Sequence, residues 1–117
     1  MTEAQFKTAL ASKLKAAYPA AFFFRTGAGA FAVAGLPDII GIVYGVFVGI
    51  EAKRPGKYKN PLQGCTPAQL HVRDLVQQAG GIWIAADDVD DCLVTLIRAL
   101  QSCGATTRDA KTPPKIP

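Results

Sequence analysis

The chain has 117 residues, half of them apolar, which suits one domain with a substantial core and is too short for two ordinary domains. The apolar run of residues 39–50 is shorter than the roughly 18 residues of a membrane span, and the N-terminus is too polar for a signal peptide, so we expect a soluble cytoplasmic protein. The net charge of +4 is concentrated in residues 1–73, where nine Lys and Arg face three Asp and Glu; this favours a polyanionic partner, a basic surface with no partner being the alternative.

The first predicted element is a helix over residues 3–17. It begins with a capping-box signature, Thr2 and Gln5, and apolar residues then recur at helical spacing, at Phe6, Leu10 and Leu14. Glu3 lies on the same face as this apolar stripe, so its side chain points inward. It is a candidate third carboxylate for the site that Asp38 and Glu51 are predicted to form below. The alternative is a first-turn glutamate favoured only by the helix dipole.

A strand follows at residues 21–25, and its aromatic residues are expected to be buried. The glycine-rich stretch 26–35 lacks the third glycine and the following helix of a dinucleotide-binding fingerprint, which excludes that reading. For residues 27–34 two interpretations stay open, a loop that closes over nucleic acid and a simple connector.

Residues 39–50 are rich in β-branched side chains and broken by glycines, a pattern that predicts two strands around a tight turn. With the turn at Tyr44-Gly45, Asp38 lies opposite Glu51. Lys53 then shares the face of Glu51, because side chains alternate along a strand.

This register brings two carboxylates and one ammonium group together. Two carboxylates about 5 Å apart repel by roughly 3 kcal/mol at an effective dielectric of about 20, more than one exposed lysine usually returns, and a divalent cation would resolve the conflict. The ordinary alternative is that Pro37-Asp38 is turn chemistry and that Glu51 and Lys53 are solubilising residues at a strand end. A slip of one residue would send Glu51 to the opposite face.

The loop after the hairpin is basic, broken by prolines and not expected to be helical. Phosphate contacts and a stacking aromatic are predicted here, with a solvated loop as the alternative; the candidate DNA contacts of the chain are Arg25, Arg54, Lys57, Tyr58 and Lys59.

The remaining elements are a helix from Pro67 to Ala79, a strand at residues 82–85 and a helix over residues 89–101. The second helix begins with the capping box Thr66 and Gln69, and its expected inward stripe is Ala68, Val72, Leu75, Val76 and Ala79. The three cysteines lack zinc-site spacing and are predicted to be free thiols. We assign residues 1–103 to the folded domain and residues 104–117 to a flexible basic tail.

Three segments of the chain occur together in a known nuclease pattern: Gly35-Leu36-Pro37-Asp38, Glu51-Ala52-Lys53 and Thr66-Pro67-Ala68-Gln69. Over roughly residues 2–100 the chain resembles the virus-type replication-repair nuclease domains (VRR-NUC) of the PD-(D/E)xK superfamily. The resemblance implies an α/β restriction-endonuclease-like core, with a mixed central sheet flanked by helices in the order α-β-β-β-α-β-α.

The resemblance also implies roles for individual residues. Asp38, Glu51 and the Ala52 backbone carbonyl would hold Mg²⁺, which Mn²⁺ could replace, Lys53 would be the catalytic lysine, and Glu3 and Gln69 match further acid and glutamine positions. Stand-alone members of this kind are phage-type enzymes that resemble Holliday-junction resolvases and act as homodimers. The glycine-rich stretch 27–34 and the extended loop 56–65 depart from the short family pattern, which leaves the substrate open.

We therefore expect a metal-dependent DNA endonuclease that selects branched DNA such as a Holliday junction. Two other classes remain as alternatives. A non-catalytic nucleic-acid-binding module would bind DNA without needing a metal, and a small structural protein would show no DNA affinity even at low salt.

Overall fold

The computed structural model describes residues 1–27 and 33–105 of the chain. The described elements are α1 (Glu3–Ala17), β1 (Phe22–Arg25), β2 (Ile39–Val43), β3 (Val46–Ala52), a short 3₁₀ helix (Pro61–Gly64), α2 (Pro67–Gln78), β4 (Ile82–Ala86) and α3 (Val89–Ser102). They form an α/β fold with one four-stranded mixed sheet. Among the described helices, none is both long and apolar enough to cross a membrane.

The strands are ordered β1-β2-β3-β4, with antiparallel pairs except for the parallel pair of β3 and β4. The β2–β3 turn is at Tyr44 and Gly45, whose φ angles of 50° and 80° suit a tight two-residue hairpin. Val43 pairs with Val46 and Ile39 with Ile50. The predicted register is therefore confirmed, and its continuation by one residue brings Asp38 opposite Glu51.

One face of the sheet, here called the core face, is covered by α1 and α3. Phe6, Leu10 and Leu14 of α1 and Leu96 and Leu100 of α3 are buried in one cluster with the strand residues Phe23, Ile39, Val43, Val48, Ile50, Ile82 and Ile84. Capping boxes or caps begin all three α-helices, at Thr2, Thr66 and Asp88. Burial of this apolar surface is the main source of stability in a domain of this size.

The opposite face, here called the outer face, is formed by the alternate strand residues and carries α2 on the side of β4. The predicted inward stripe of α2 is wrong, because none of its residues is buried and Leu75 is 51% exposed. Val72 and Val76 are half-buried, whereas Ala68 and Ala79 are exposed. The helix touches the sheet along a narrow strip, and no second layer of the described chain covers its other side.

The predicted burial of the β1 aromatics is also wrong for two of the three. Phe23 points to the core face and is buried, but Phe22 and Phe24 point to the outer face and are exposed. The reason is that α2 covers the outer face only at its β4 edge and does not reach β1, at the opposite edge.

Two predictions about loops and termini can be compared only in part. The loop 56–65 contains the 3₁₀ helix, which Asn60 caps. Of the predicted tail, Gly104 and Ala105 are described, and Ala105 is buried against the core, with its N–H donating to the Leu100 carbonyl. Residues 28–32, within the glycine-rich stretch, and residues 106–117 lie outside the described residues.

Candidate metal centre at the end of the hairpin

Asp38 lies immediately before β2 and is held on both sides by hydrogen bonds. The Ala52 N–H donates to its Oδ2 at 2.8 Å, and the Thr26 N–H donates to its backbone carbonyl at 2.9 Å. The Thr26 hydroxyl also donates to the Pro37 carbonyl at 2.6 Å. The carboxylate is therefore fixed relative to the end of β3.

Two glycines allow the chain to deliver Asp38 to this position. Gly35 has φ +81°, and a Cβ on it would overlap the backbone carbonyl of Ala68 at the start of α2. The Pro37 ring lies over Gly49 of β3, where an added Cβ would come within 2.8 Å of the proline Cγ. The segment before Asp38 is thus packed between the sheet and the first turn of α2.

Glu51 is a buried acid with an incomplete set of partners. Its residue is only 2% exposed; its Oε1 accepts a hydrogen bond from Gln69 Nε2 at 2.9 Å and lies 3.7 Å from Lys53 Nζ. Its Oε2 is buried and has no hydrogen-bond partner in the described part of the chain. Such an atom is unusual in native proteins, where buried polar atoms are paired, and a proton on Glu51 would let the carboxyl group form a hydrogen bond with Asp38.

The surroundings of Glu51 disfavour its ionised form. Burial, then a hydrogen bond to Asp38 that favours the protonated form, and then repulsion from the Asp38 charge raise the pKa of Glu51 from 4.5 to about 8, against the opposing attraction of Lys53 and Lys7. The two carboxyl groups thus meet, as the sequence predicts, and compete for one proton unless a cation is present.

Lys53 and Gln69 form a hydrogen-bonded unit with Glu51. The Lys53 ammonium donates to Gln69 Oε1 at 2.9 Å, and the same oxygen accepts the Thr66 N–H at 2.8 Å. The capping box of α2 therefore does more than start the helix, because it holds the glutamine between the lysine and the glutamate. Lys53 itself is 7% exposed, and its backbone N–H donates to the backbone carbonyl of Ala86 at 2.8 Å.

Lys7 is the residue at this site that sequence reasoning missed. Its ammonium lies 3.0 Å from Asp38 Oδ1 and 3.8 Å from Glu3 Oε1. Glu3 therefore faces Lys7, and the structure does not bring Glu3 into a group with the two central carboxylates. The available signal was the spacing of four residues between Glu3 and Lys7, which puts both on one face of α1.

The donor set fits a hard divalent cation. The carboxyl groups of Asp38 and Glu51 converge. One Glu51 oxygen is buried and has no hydrogen-bond partner among the described residues, and the pKa of Glu51 is raised above that of an ordinary glutamate. Residues 1–27 and 33–105 contain no cluster of three or more His, Cys, Asp or Glu side chains, so such an ion would complete its shell with water, backbone or substrate oxygens. The backbone N–H of Ala52 contacts Asp38, whereas the group of Ala52 that was predicted to bind the metal is its backbone carbonyl.

Most of the predicted DNA contacts are exposed side chains. Arg54, Lys57 and Lys59 are exposed, and Arg25 is exposed and donates to the Thr8 hydroxyl at 3.2 Å. Tyr58 is half-buried with its ring against Gly64, and the Lys57 ammonium lies 5.4 Å from the ring centroid. One face of the tyrosine is therefore already occupied.

The predicted free thiols are confirmed, since Cys65, Cys92 and Cys103 form no disulfide. Cys92 is part of the core, where burial and then the nearby Asp88 charge raise the pKa of its thiol to about 12. Cys65 lies near the carboxylate site: burial raises the pKa of its thiol, Lys53 opposes this rise and Glu51 adds to it.

Comparison of the chain with protein-family models, with curated proteins and with solved structures gave no match.

Proposed function

We propose that the protein is a metal-dependent phosphodiesterase that cuts DNA, of the PD-(D/E)xK type. The observation that carries the proposal is the Glu51 carboxyl group, which is buried beside Asp38 with one oxygen unpartnered and with its pKa raised. A scaffold that only binds nucleic acid gains nothing from acids grouped where phosphates would approach. A hydrolase gains a place for a cation.

Asp38 and Glu51 would hold the ion. When bound, Mg²⁺ or Mn²⁺ supplies Lewis-acid polarisation of a phosphate oxygen and a more acidic water. Lys53, whose ammonium donates to Gln69, would donate to a phosphate oxygen whose negative charge grows during cleavage. Gln69 restricts the rotamers of both Lys53 and Glu51, so that the site is organised before substrate arrives.

The charge of the chain supports DNA as the class of substrate. The excess of Lys and Arg in residues 1–73 and the exposed Arg54, Lys57 and Lys59 suit a phosphate backbone, which contributes affinity without regard to sequence. Branched DNA as substrate and a homodimer as the active form are the finer parts of the proposal, supported by the resemblance to VRR-NUC domains.

A cleavage panel tests the proposal. Four-way junction, flap, duplex and single-stranded DNA would be incubated with the protein in Mg²⁺, in Mn²⁺ and in chelator, beside a mass measurement in solution. We expect metal-dependent cutting that falls by about 1,000-fold or more in Asp38→Asn and Lys53→Gln, with DNA binding largely kept. Asp74→Asn, which changes an exposed acid of α2 away from the site, is the matched control and should cut normally.

The panel also separates the proposal from a binding module. DNA binding that needs no metal and falls steeply with salt, with no cutting under any condition, would support the module. Undiminished cutting by purified Asp38→Asn protein would contradict the assigned site.

A further inference from the structure

Three apolar side chains lie uncovered on the outer face, at the end of the sheet away from α2. Phe22 and Phe24 of β1 are 63% and 45% exposed, and Ile42 of β2 is 51% exposed. We call this group the aromatic platform. In the strand register Phe22 is opposite Ile42, so the three side chains are adjacent on one surface.

The platform lies on the same face of the sheet as Asp38. Phe24 pairs with Ile40, and Asp38 precedes Ile40 by two residues, which puts Asp38 on the same face roughly 7 Å further along the sheet. Phe22 lies one step further from Asp38, beyond Phe24. A strand whose phosphate is held at Asp38 and Glu51 would therefore reach Phe24 first and Phe22 next.

The geometry of the rings suits separate stacking partners. Their centroids are 5.7 Å apart and their planes are inclined by 47°, so the two rings are not stacked on each other. Nucleic-acid bases stack on exposed aromatic side chains regardless of sequence, because every base has an apolar face. A base inside a duplex is already stacked on its neighbours and cannot offer that face.

The exposed area argues against a second copy of this chain as the main occupant. With total side-chain areas of about 200 Å² each, the three residues expose roughly 300 Å². A stable protein interface needs about 800 Å² on each partner. A strand of unpaired nucleotides needs only the rings and positive charge for its phosphates, and residues 1–73 contain nine Lys and Arg against three Asp and Glu.

We propose that Phe22 and Phe24 form a stacking platform for unpaired nucleotides that adjoin the phosphate held at the carboxylate site. The inference rests on the proposed function and narrows its substrate to DNA with a single-stranded segment, such as a flap, an overhang or an opened junction. The rings select for unpaired bases, while the basic residues bind the backbone of any DNA.

The test is a binding measurement that needs no cleavage. In an Asp38→Asn background, fluorescence anisotropy would compare a thymidine oligonucleotide of about 10 nucleotides with an abasic oligonucleotide of the same length and charge. We expect the thymidine strand to bind about tenfold more tightly, since the phosphates are matched and only the bases differ. Adding Phe22→Ser and Phe24→Ser should reduce the ratio to about one while leaving abasic binding unchanged.

Leu75→Ser is the matched control, because Leu75 is similarly exposed but lies on α2; it should keep the tenfold ratio. A thermal melt verifies the fold, and Phe22→Ser alone, at the more exposed position, replaces the double variant if that variant unfolds.

Three results would overturn the platform. One is an equal affinity for the two oligonucleotides before the phenylalanines are changed, and another is an unchanged preference in the double variant. The third is a dimer that becomes a monomer on Phe22→Ser and Phe24→Ser while the base preference persists, which would assign the face to a second copy. Asp38-dependent cutting with no base preference would support the nuclease and contradict the platform. Base preference without any cutting would support the platform and contradict the nuclease.

Discussion

The core face and the outer face of the sheet share the same four strands but differ in what their side chains contact. On the core face Ile39, Val48 and Ile50 are packed among apolar residues of α1 and α3. On the outer face lie Glu51, with a buried oxygen that has no hydrogen-bond partner within residues 1–27 and 33–105, and Phe22 and Phe24, which are exposed. The comparison indicates that one face is organised for stability and the other retains unfavourable arrangements that a ligand would relieve.

The largest effect on stability should come from the core face. Leu96→Ala removes a fully buried side chain of α3, and we expect it to lower the free energy of unfolding by about 3 kcal/mol. Leu75→Ala on the exposed side of α2 should change it by less than about 0.5 kcal/mol. Urea unfolding of both variants measures the difference, and equal losses would show that α2 is covered by a partner in solution.

A substitution at the carboxylate site should act in the opposite direction. In the folded, metal-free protein the pKa of Glu51 is raised from 4.5 to about 8, so the folded state holds this proton more tightly than the unfolded state. The resulting stabilisation is complete below pH 4.5 and is lost as the pH rises through about 8.

Glu51→Gln should therefore flatten this pH dependence and stabilise the metal-free protein at pH 8 by something on the order of 2 kcal/mol. Thermal melts in chelator between pH 5 and pH 8, over the range in which the Glu51 carboxyl titrates, measure both effects. Saturating Mg²⁺ should remove most of the pH dependence in the native sequence and have little effect on Glu51→Gln. An identical pH dependence for the two proteins in chelator would show that Glu51 is not the responsible group.

A smaller effect is expected at Lys7, which neutralises Asp38 in the absence of a metal. Because its ammonium repels a cation at the same carboxylate, Lys7→Met should tighten Mn²⁺ binding by about tenfold. Calorimetric titration measures the affinity, and Lys13→Met, at an exposed position on the same helix, is the control. An affinity that is weakened by Lys7→Met would instead assign the lysine a role in holding Asp38 in place.

The sequence was sufficient where local chemistry determines the outcome. The hairpin register followed from a turn that needs positive φ at two residues, and the α2 start from a proline after a capping threonine. From these, the meeting of Asp38 and Glu51 could be predicted.

Contacts between distant elements could not be predicted in the same way. The Lys7 contact with Asp38 joins residues far apart in the chain, and no local pattern indicates which lysine reaches which acid. Periodicity also shows that an element has an apolar side without showing whether anything covers it, which is why the predicted burial of Leu75, Phe22 and Phe24 was wrong.

The central claim is that Asp38 and Glu51 are not both ionised near neutral pH without a bound cation, and carboxyl-carbon NMR of Glu51 tests it most directly. In chelator the resonance should titrate with a pKa near 8, and with saturating Mg²⁺ the group should stay ionised well below that pH. Titration near 4.5 both with and without Mg²⁺ would mean that the two carboxylates neither interact nor bind the ion, and it would contradict the account.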